Sequence, residues 1–80
     1  MIEFTSHALR KITQRNLKKA WVRETIKNPE YVLSSYGNRE IAYKKKGKLY
    51  LAVIFVREEG NLIVLTTYWD KRFKPPKEAL

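Results

Sequence analysis

The sequence predicts an α+β domain in which two N-terminal helices pack on a four-stranded antiparallel β-meander. Helical periodicity with capping residues fills the first part of the chain, whereas apolar runs separated by turn pairs fill the rest. Eighty residues bury only about 60–65% of the surface that an unfolded chain exposes, which leaves room for one core. We therefore expect a single domain over residues 1–70 and a mobile, basic tail with two prolines over residues 71–80.

The first helix is predicted over residues 7–14. Thr5 or Ser6 supplies an N-cap, because a side-chain oxygen there accepts a hydrogen bond from the first turn. Asn16 provides a stop, since asparagine tolerates positive φ better than most residues. The apolar side chains that helical spacing places on one face are Ala8, Leu9 and Ile12.

The second helix is predicted over residues 17–27. Asn28 precedes Pro29 and is therefore pushed out of the helical region, which ends the helix. The side chains expected to face inward are Leu17, Ala20, Trp21, Thr25 and Ile26.

From Tyr31 onward the pattern changes to that of strands. Turn residues within 36–39, 45–48 and 59–61 separate four predicted strands, over residues 31–35, 40–44, 49–57 and 62–69. The last two are the most apolar and are expected at the centre, with the strand 31–35 at an edge. Strict alternation in the last strand groups Leu62, Val64, Thr66 and Tyr68 on one face, and Ile63, Leu65, Thr67 and Trp69 on the other.

The chain is strongly basic, with 17 Lys and Arg against 8 Asp and Glu and a net charge of +9. Such a charge favours a polyanionic partner, namely RNA, DNA, an acidic membrane surface or an acidic protein. Solubility alone is the alternative explanation. The chain has no cysteine, which excludes disulfides, thiolate metal sites and thiol nucleophiles. Its longest apolar run is too short to span a membrane and no signal peptide is recognisable, so we expect a cytoplasmic protein without membrane contact.

His7, Lys11 and Arg15 are spaced by four residues and form one stripe along the first helix. This stripe suits phosphoryl chemistry on RNA, because cations stabilise charge on phosphate oxygens and a histidine moves protons near neutral pH. The alternative is a solvated helix face. Tyr68 is either an aromatic at the edge of the core or a group that stacks on a base or handles a proton. The candidate catalytic residues are His7, Lys11, Arg15 and Tyr68.

A lysine-rich hairpin turn and the basic tail are candidates for phosphate contacts, which add affinity without sequence information. The alternative for the turn is that its lysines prevent edge pairing and aggregation. The predicted nucleic-acid-binding residues are Arg39, Lys44, Lys45, Lys46, Lys48, Lys71 and Arg72. A single histidine excludes a two-histidine acid–base pair, and no cluster has metal-ligand spacing, so we expect neither a metal nor a cofactor.

Several short motifs follow one another in a fixed order along the chain. They are Phe4-Thr5, His7-Ala8, Lys11, Arg15, Asn28-Pro29-Glu30 and the closing segment 65–69. This order resembles a small bacterial and archaeal family of domains of unknown function that opens on a Thr-x-His-Ala helix. The family is related to the RelE/ParE-like toxins and to BrnT-type toxins, and the resemblance covers residues 2–69. Lys11 stands where the family commonly has arginine.

The resemblance implies a RelE-like fold and the toxin of a type II toxin–antitoxin pair that cleaves mRNA, often on the ribosome, without a metal. Other relatives instead poison gyrase, so fold analogy does not decide the function. One alternative is a non-catalytic module that binds nucleic acid or the ribosome. Another is a protein-interaction domain in which an acidic or DNA-binding antitoxin lies across the basic face or pairs with the strand 31–35. Formation of a homodimer is left open.

Overall fold

The computed structural model describes residues 1–76, and the predicted tail residues 77–80 lie outside this range. The described chain is α+β, with two helices and five strands. In chain order these elements are β1 (Ile2–Phe4), α1 (Ser6–Gln14), α2 (Lys19–Lys27), β2 (Tyr31–Ser34), β3 (Glu40–Lys46), β4 (Leu49–Glu58) and β5 (Asn61–Asp70). No helix within residues 1–76 is long and apolar enough to cross a membrane.

The strands form one mixed sheet in the order β1-β5-β4-β3-β2. The antiparallel meander from β2 to β5 and the edge position of β2 confirm the prediction. The prediction of only four strands, all antiparallel, is wrong, because β1 adds to β5 in parallel, with Ile2 opposite Leu62 and Phe4 opposite Val64. A strand of three residues is too short to show a periodicity, and its pairing partner lies about sixty residues away.

Both helices are near their predicted positions, and their caps explain their ends. The Thr5 hydroxyl accepts a hydrogen bond from the backbone N–H of Ala8 at 3.0 Å, which caps α1. Asn16 has φ 54° and ends α1 as predicted. The second helix begins two residues later than predicted, at Lys19, and its N-cap residue Lys18 makes no side-chain capping bond.

The core lies between the helices and one face of the sheet. Val22 is fully buried there, whereas Ala20, predicted to face inward, is exposed. Leu9 was also expected inside but is 38% exposed, because α1 buries the pair Ala8 and Ile12 one turn apart. The buried apolar residues of this core are Ala8, Ile12, Leu17, Val22, Ile26, Ala42, Leu51, Val53, Phe55 and Val64.

A β-bulge interrupts the pairing of β4 with β5. Ile54 is opposite Thr66 while Phe55 is opposite Val64, so Leu65 is an extra residue without a partner. The bulge reverses the alternation of side chains upstream of it. Val64 therefore lies in the core with Thr67 and not on the face of Thr66, which corrects the strict alternation predicted from the sequence.

The opposite face of the sheet is not covered by either helix, and we call it the open face. The register and the core contacts on the other side define its residues. They include Tyr31, Leu33, Ile41, Tyr43, Lys45, Tyr50, Ala52, Ile54, Thr66, Tyr68 and Asp70.

Candidate functional site

A cavity of about 420 Å³ lies on the open face between α1 and the loop that joins β2 to β3. Ile54 and Thr66 belong to its floor, His7 of α1 lines one wall, and Arg39 from the loop lines the other. Sequence reasoning placed His7 and Arg39 in separate groups, and the structure brings them to one cavity. We call it the His7–Arg39 cavity; its remaining lining residues are Ser35, Tyr36 and Leu65.

The position of His7 follows from the bulge and from the cap of α1. Thr5 donates a hydrogen bond from its backbone N–H to the Val64 carbonyl at 3.1 Å and from its hydroxyl to the Leu65 carbonyl at 3.2 Å. The first turn of α1 is therefore attached to the bulged part of β5. His7 lies in this turn and reaches the open face beside Leu65, where it is exposed to solvent.

The rest of the predicted stripe divides between two environments. The Arg15 guanidinium donates a hydrogen bond to the Thr67 carbonyl at 2.7 Å and lies close enough to Tyr68 to affect its titration. Lys11 instead donates from Nζ to Gln14 Oε1 at 3.2 Å, along the surface of α1. The structure thus brings Arg15 to Tyr68 and His7 to the cavity, while Lys11 bonds within its own helix.

Tyr68 lies beside Tyr43 on the open face, because both strands pair with β4 at the small residue Ala52. The Tyr43 hydroxyl donates a hydrogen bond to Asp70 Oδ2 at 3.3 Å. Burial raises the pKa of Tyr43, and the neighbouring Tyr68 and Asp70 raise it further.

Tyr68 is also held in its neutral form. Burial raises its pKa and the Asp70 carboxylate adds to the rise, while Tyr43 and Arg15 partly oppose both. A phenol with a raised pKa stays protonated at neutral pH and donates hydrogen bonds. Tyr68 can therefore donate a hydrogen bond to a phosphate oxygen, and the stacking and proton-handling roles expected from the sequence stay predictions.

The predicted lysine cluster is split by the pleat of β3. Lys44 Nζ donates a hydrogen bond to the Asn28 carbonyl at 3.0 Å, at the C-terminus of α2. Lys46 Nζ forms an ion pair with Glu24 Oε1 of α2 at 2.7 Å. Lys45 points to the open face and is exposed. Adjacent residues of a strand point to opposite faces, so these lysines cannot form one patch. Lys48 in the turn is also exposed.

Sequence reasoning missed an aromatic cluster at the other end of the open face. Phe73, from the segment predicted as a mobile tail, stacks on Tyr43 with ring centres 3.6 Å apart. The ring centres of Tyr50 and Tyr31 lie 5.0 and 5.8 Å from the ring centre of Phe73. Phe73 is the only aromatic residue in the tail, and this was the one signal that could have indicated packing. The neighbouring Lys71 and Arg72 are exposed.

Within residues 1–76 no three His, Cys, Asp or Glu side chains lie close enough together to hold a metal ion. Comparison with curated proteins and with solved structures gave no significant match. A family model described as "Domain of unknown function (DUF4258)" matches residues 4–69. This range contains His7, Arg15, Arg39 and Tyr68, and it ends before Phe73. The chain therefore belongs to the DUF4258 family of domains of unknown function.

Proposed function

We propose that this protein is an endoribonuclease that binds single-stranded RNA across the open face and cleaves it in the His7–Arg39 cavity. One observation carries the proposal: the only histidine of the chain and an arginine from a distant loop line the same open cavity. A group that transfers protons near neutral pH and a cation that stabilises phosphate charge both promote cleavage of an RNA backbone.

In the proposed reaction the ribose 2′-oxygen attacks the adjacent phosphorus and the bond from phosphorus to the 5′-oxygen breaks. The products are a 2′,3′-cyclic phosphate and a 5′-hydroxyl. The neutral imidazole of His7 takes the 2′-hydroxyl proton, and the imidazolium or water returns a proton to the leaving oxygen. Arg39 stabilises the additional negative charge on the phosphate, the role that the sequence suggested for Lys11 and Arg15. Arg15 and Tyr68 bind the neighbouring phosphate.

We also propose that the protein is a RelE-like toxin acting on mRNA, on or off the ribosome, with an acidic or DNA-binding antitoxin. The support is the ordered set of sequence motifs and the net charge of +9. The edge strand β2 offers a place for such a partner, because Val32 and Leu33 are 43% and 36% exposed. Expression of the wild type should arrest growth, and coexpression of a small protein encoded next to it should relieve the arrest.

The proposed cleavage is tested with purified protein on free RNA and on ribosome-bound mRNA. Wild type should yield fragments ending in a 2′,3′-cyclic phosphate, and His7→Ala should lower the rate about 100-fold or more. Arg39→Ala should lower it comparably, whereas Arg10→Ala removes an exposed cation of α1 away from the cavity and should not. If His7→Ala cleaves as fast as wild type, the mechanism is wrong. Salt-sensitive binding without any product would instead identify a non-catalytic RNA-binding module.

A further inference from the structure

Tyr43 lies on the open face, yet only 5% of its surface is exposed. Neither helix covers this face, and the cover comes from the ring of Phe73. The two rings are nearly parallel, with an interplanar angle of 12° and ring centres 3.6 Å apart. The Phe73 side chain, which lies outside the sheet, thus covers Tyr43, which the sheet alone would leave exposed.

The site that receives Phe73 is a flat slot built from three tyrosines. Tyr43 forms its base, and Tyr50 and Tyr31 stand against the edges of the inserted ring at interplanar angles of 71° and 58°. The slot therefore accepts one planar ring, with a stacking partner below and aromatic edges at two sides. Nucleobases have this shape, and stacking on tyrosine is a common means of holding a base of single-stranded RNA.

The segment that carries Phe73 is weakly attached to the rest of the protein. Within the described residues no helix or strand continues beyond Asp70, and the Arg72 N–H donates to the Asp70 carboxylate at 3.0 Å. Lys74 and the prolines that follow are exposed. The ring of Phe73 is thus the main contact of this segment with the sheet, and its removal from the slot disturbs no strand.

The slot is adjacent to the His7–Arg39 cavity. Tyr43 and Tyr68 flank Ala52, and the next position on this face of β4 is Ile54 in the floor of the cavity. Tyr43 is level with Ala52 and thus about 7 Å along the sheet from Ile54, whereas Tyr50 is about 13 Å from it. A base in the slot would therefore lie near a phosphate in the cavity. Lys45 on the same face and the exposed Lys71 and Arg72 place cations around the slot.

We propose that the slot formed by Tyr31, Tyr43 and Tyr50 is a nucleobase-binding site that Phe73 occupies in the free protein and that a base of bound single-stranded RNA takes over. This inference rests on the RNA binding of the proposed function. Phe73 competes with the base, so removing its ring strengthens binding of any strand that carries bases. The slot recognises the planar ring of a nucleobase and not the phosphates of the strand.

The test measures binding of a 2′-O-methyl oligoadenylate, which lacks the nucleophilic hydroxyl, and of an abasic oligomer of equal length and charge. Phe73→Ala should bind the oligoadenylate about tenfold more tightly than wild type. It should bind the abasic oligomer with unchanged affinity. Tyr50→Leu is the matched variant in the slot and should weaken oligoadenylate binding only. In wild type, the Phe73 ring proton signals should move to solvent-exposed positions when the oligoadenylate saturates the protein.

The outcomes distinguish the slot proposal from the cleavage proposal. Unchanged Phe73 signals at saturation, or equal gains for both oligomers, would overturn the slot while leaving cleavage in place. Base-dependent gains in a protein that cuts no RNA would support the slot and overturn the cleavage. If neither oligomer binds, both proposals fail. If Phe73→Ala does not fold, the Phe73 ring proton signals of the wild type on saturation with oligoadenylate test the slot proposal by themselves.

Discussion

Thr5 joins the start of α1 to the bulge in β5 through two hydrogen bonds to β5 carbonyls, and a third hydrogen bond to its hydroxyl caps the helix. Its small hydroxyl both accepts and donates, which alanine cannot do. The hydroxyl and the backbone N–H of Thr5 thus together fix the first turn of α1 against β5.

Replacing Thr5 by alanine should lower the free energy of unfolding by about 1–2 kcal/mol, the usual cost of losing an N-cap. Urea denaturation of the purified protein measures this loss. RNA cleavage by the folded variant should also fall, because the first turn of α1 loses its attachment to Leu65. Thr5→Ser keeps the hydroxyl and should retain both properties. Equal stability of the alanine and serine variants would contradict this account of the cap.

Tyr43 should make stability depend on pH in the alkaline range. Its pKa is raised in the folded protein above the ordinary value of 10.0, so the folded state holds this proton more tightly than the unfolded state. The contribution is complete below about pH 10 and is lost as pH rises further, because the unfolded state then releases the proton first.

The measurement is the free energy of unfolding at pH 8 and near pH 11. Wild type should lose stability over this interval, and Tyr43→Phe should lose less. Some loss should remain in that variant, since the pKa of Tyr68 is raised as well. Tyr36→Phe is the control, because Tyr36 is 83% exposed and its replacement should preserve the wild-type loss. Parallel curves for the two variants would contradict the role of Tyr43.

At the scale of elements, the periodic parts of the fold could be predicted and the irregular parts could not. Both helices and the meander follow from spacing, caps and turn residues, which are local signals. The parallel addition of β1 to β5 and the bulge at Leu65 depend on contacts distant in sequence. The candidate site depends on both local signals and distant contacts. His7 was predicted from the spacing along its helix, whereas only the folded sheet places Arg39 in the same cavity.

The pleat of β3 should separate the effects of two adjacent lysines. Lys46→Ala removes the ion pair with Glu24 and the contact with the Trp21 ring, and should slightly lower the urea midpoint. Lys45→Ala removes an exposed cation from the open face and should weaken RNA binding at unchanged midpoint. Denaturation curves and fluorescence anisotropy with a labelled RNA measure the two effects. If Lys46→Ala weakens binding as much as Lys45→Ala, the lysines act as one patch despite the pleat.

At the scale of the whole molecule, the cations behind the net charge of +9 lie in two different kinds of environment. Some cations hold the protein together, as Lys44 and Lys46 do on the helix side and Arg57 does in its 2.7 Å ion pair with Glu40. Arg39 and Lys45 instead line or border the open face. The total charge therefore overstates the number of cations available on the open face.

The salt dependence of RNA binding counts these cations directly. Each phosphate neutralised on a single strand contributes about −0.7 to the slope of log K against log salt concentration, because a condensed counterion is released. Arg39→Ala should therefore make the slope shallower by about 0.7, and Lys45→Ala should do the same. Arg57→Ala removes an equal charge from an ion pair with Glu40 and should leave the slope unchanged. Anisotropy titrations between roughly 50 and 300 mM salt measure the slopes. A flat slope in wild type would mean that the charge serves solubility, and equal losses in all three variants would mean that net charge and not position governs binding.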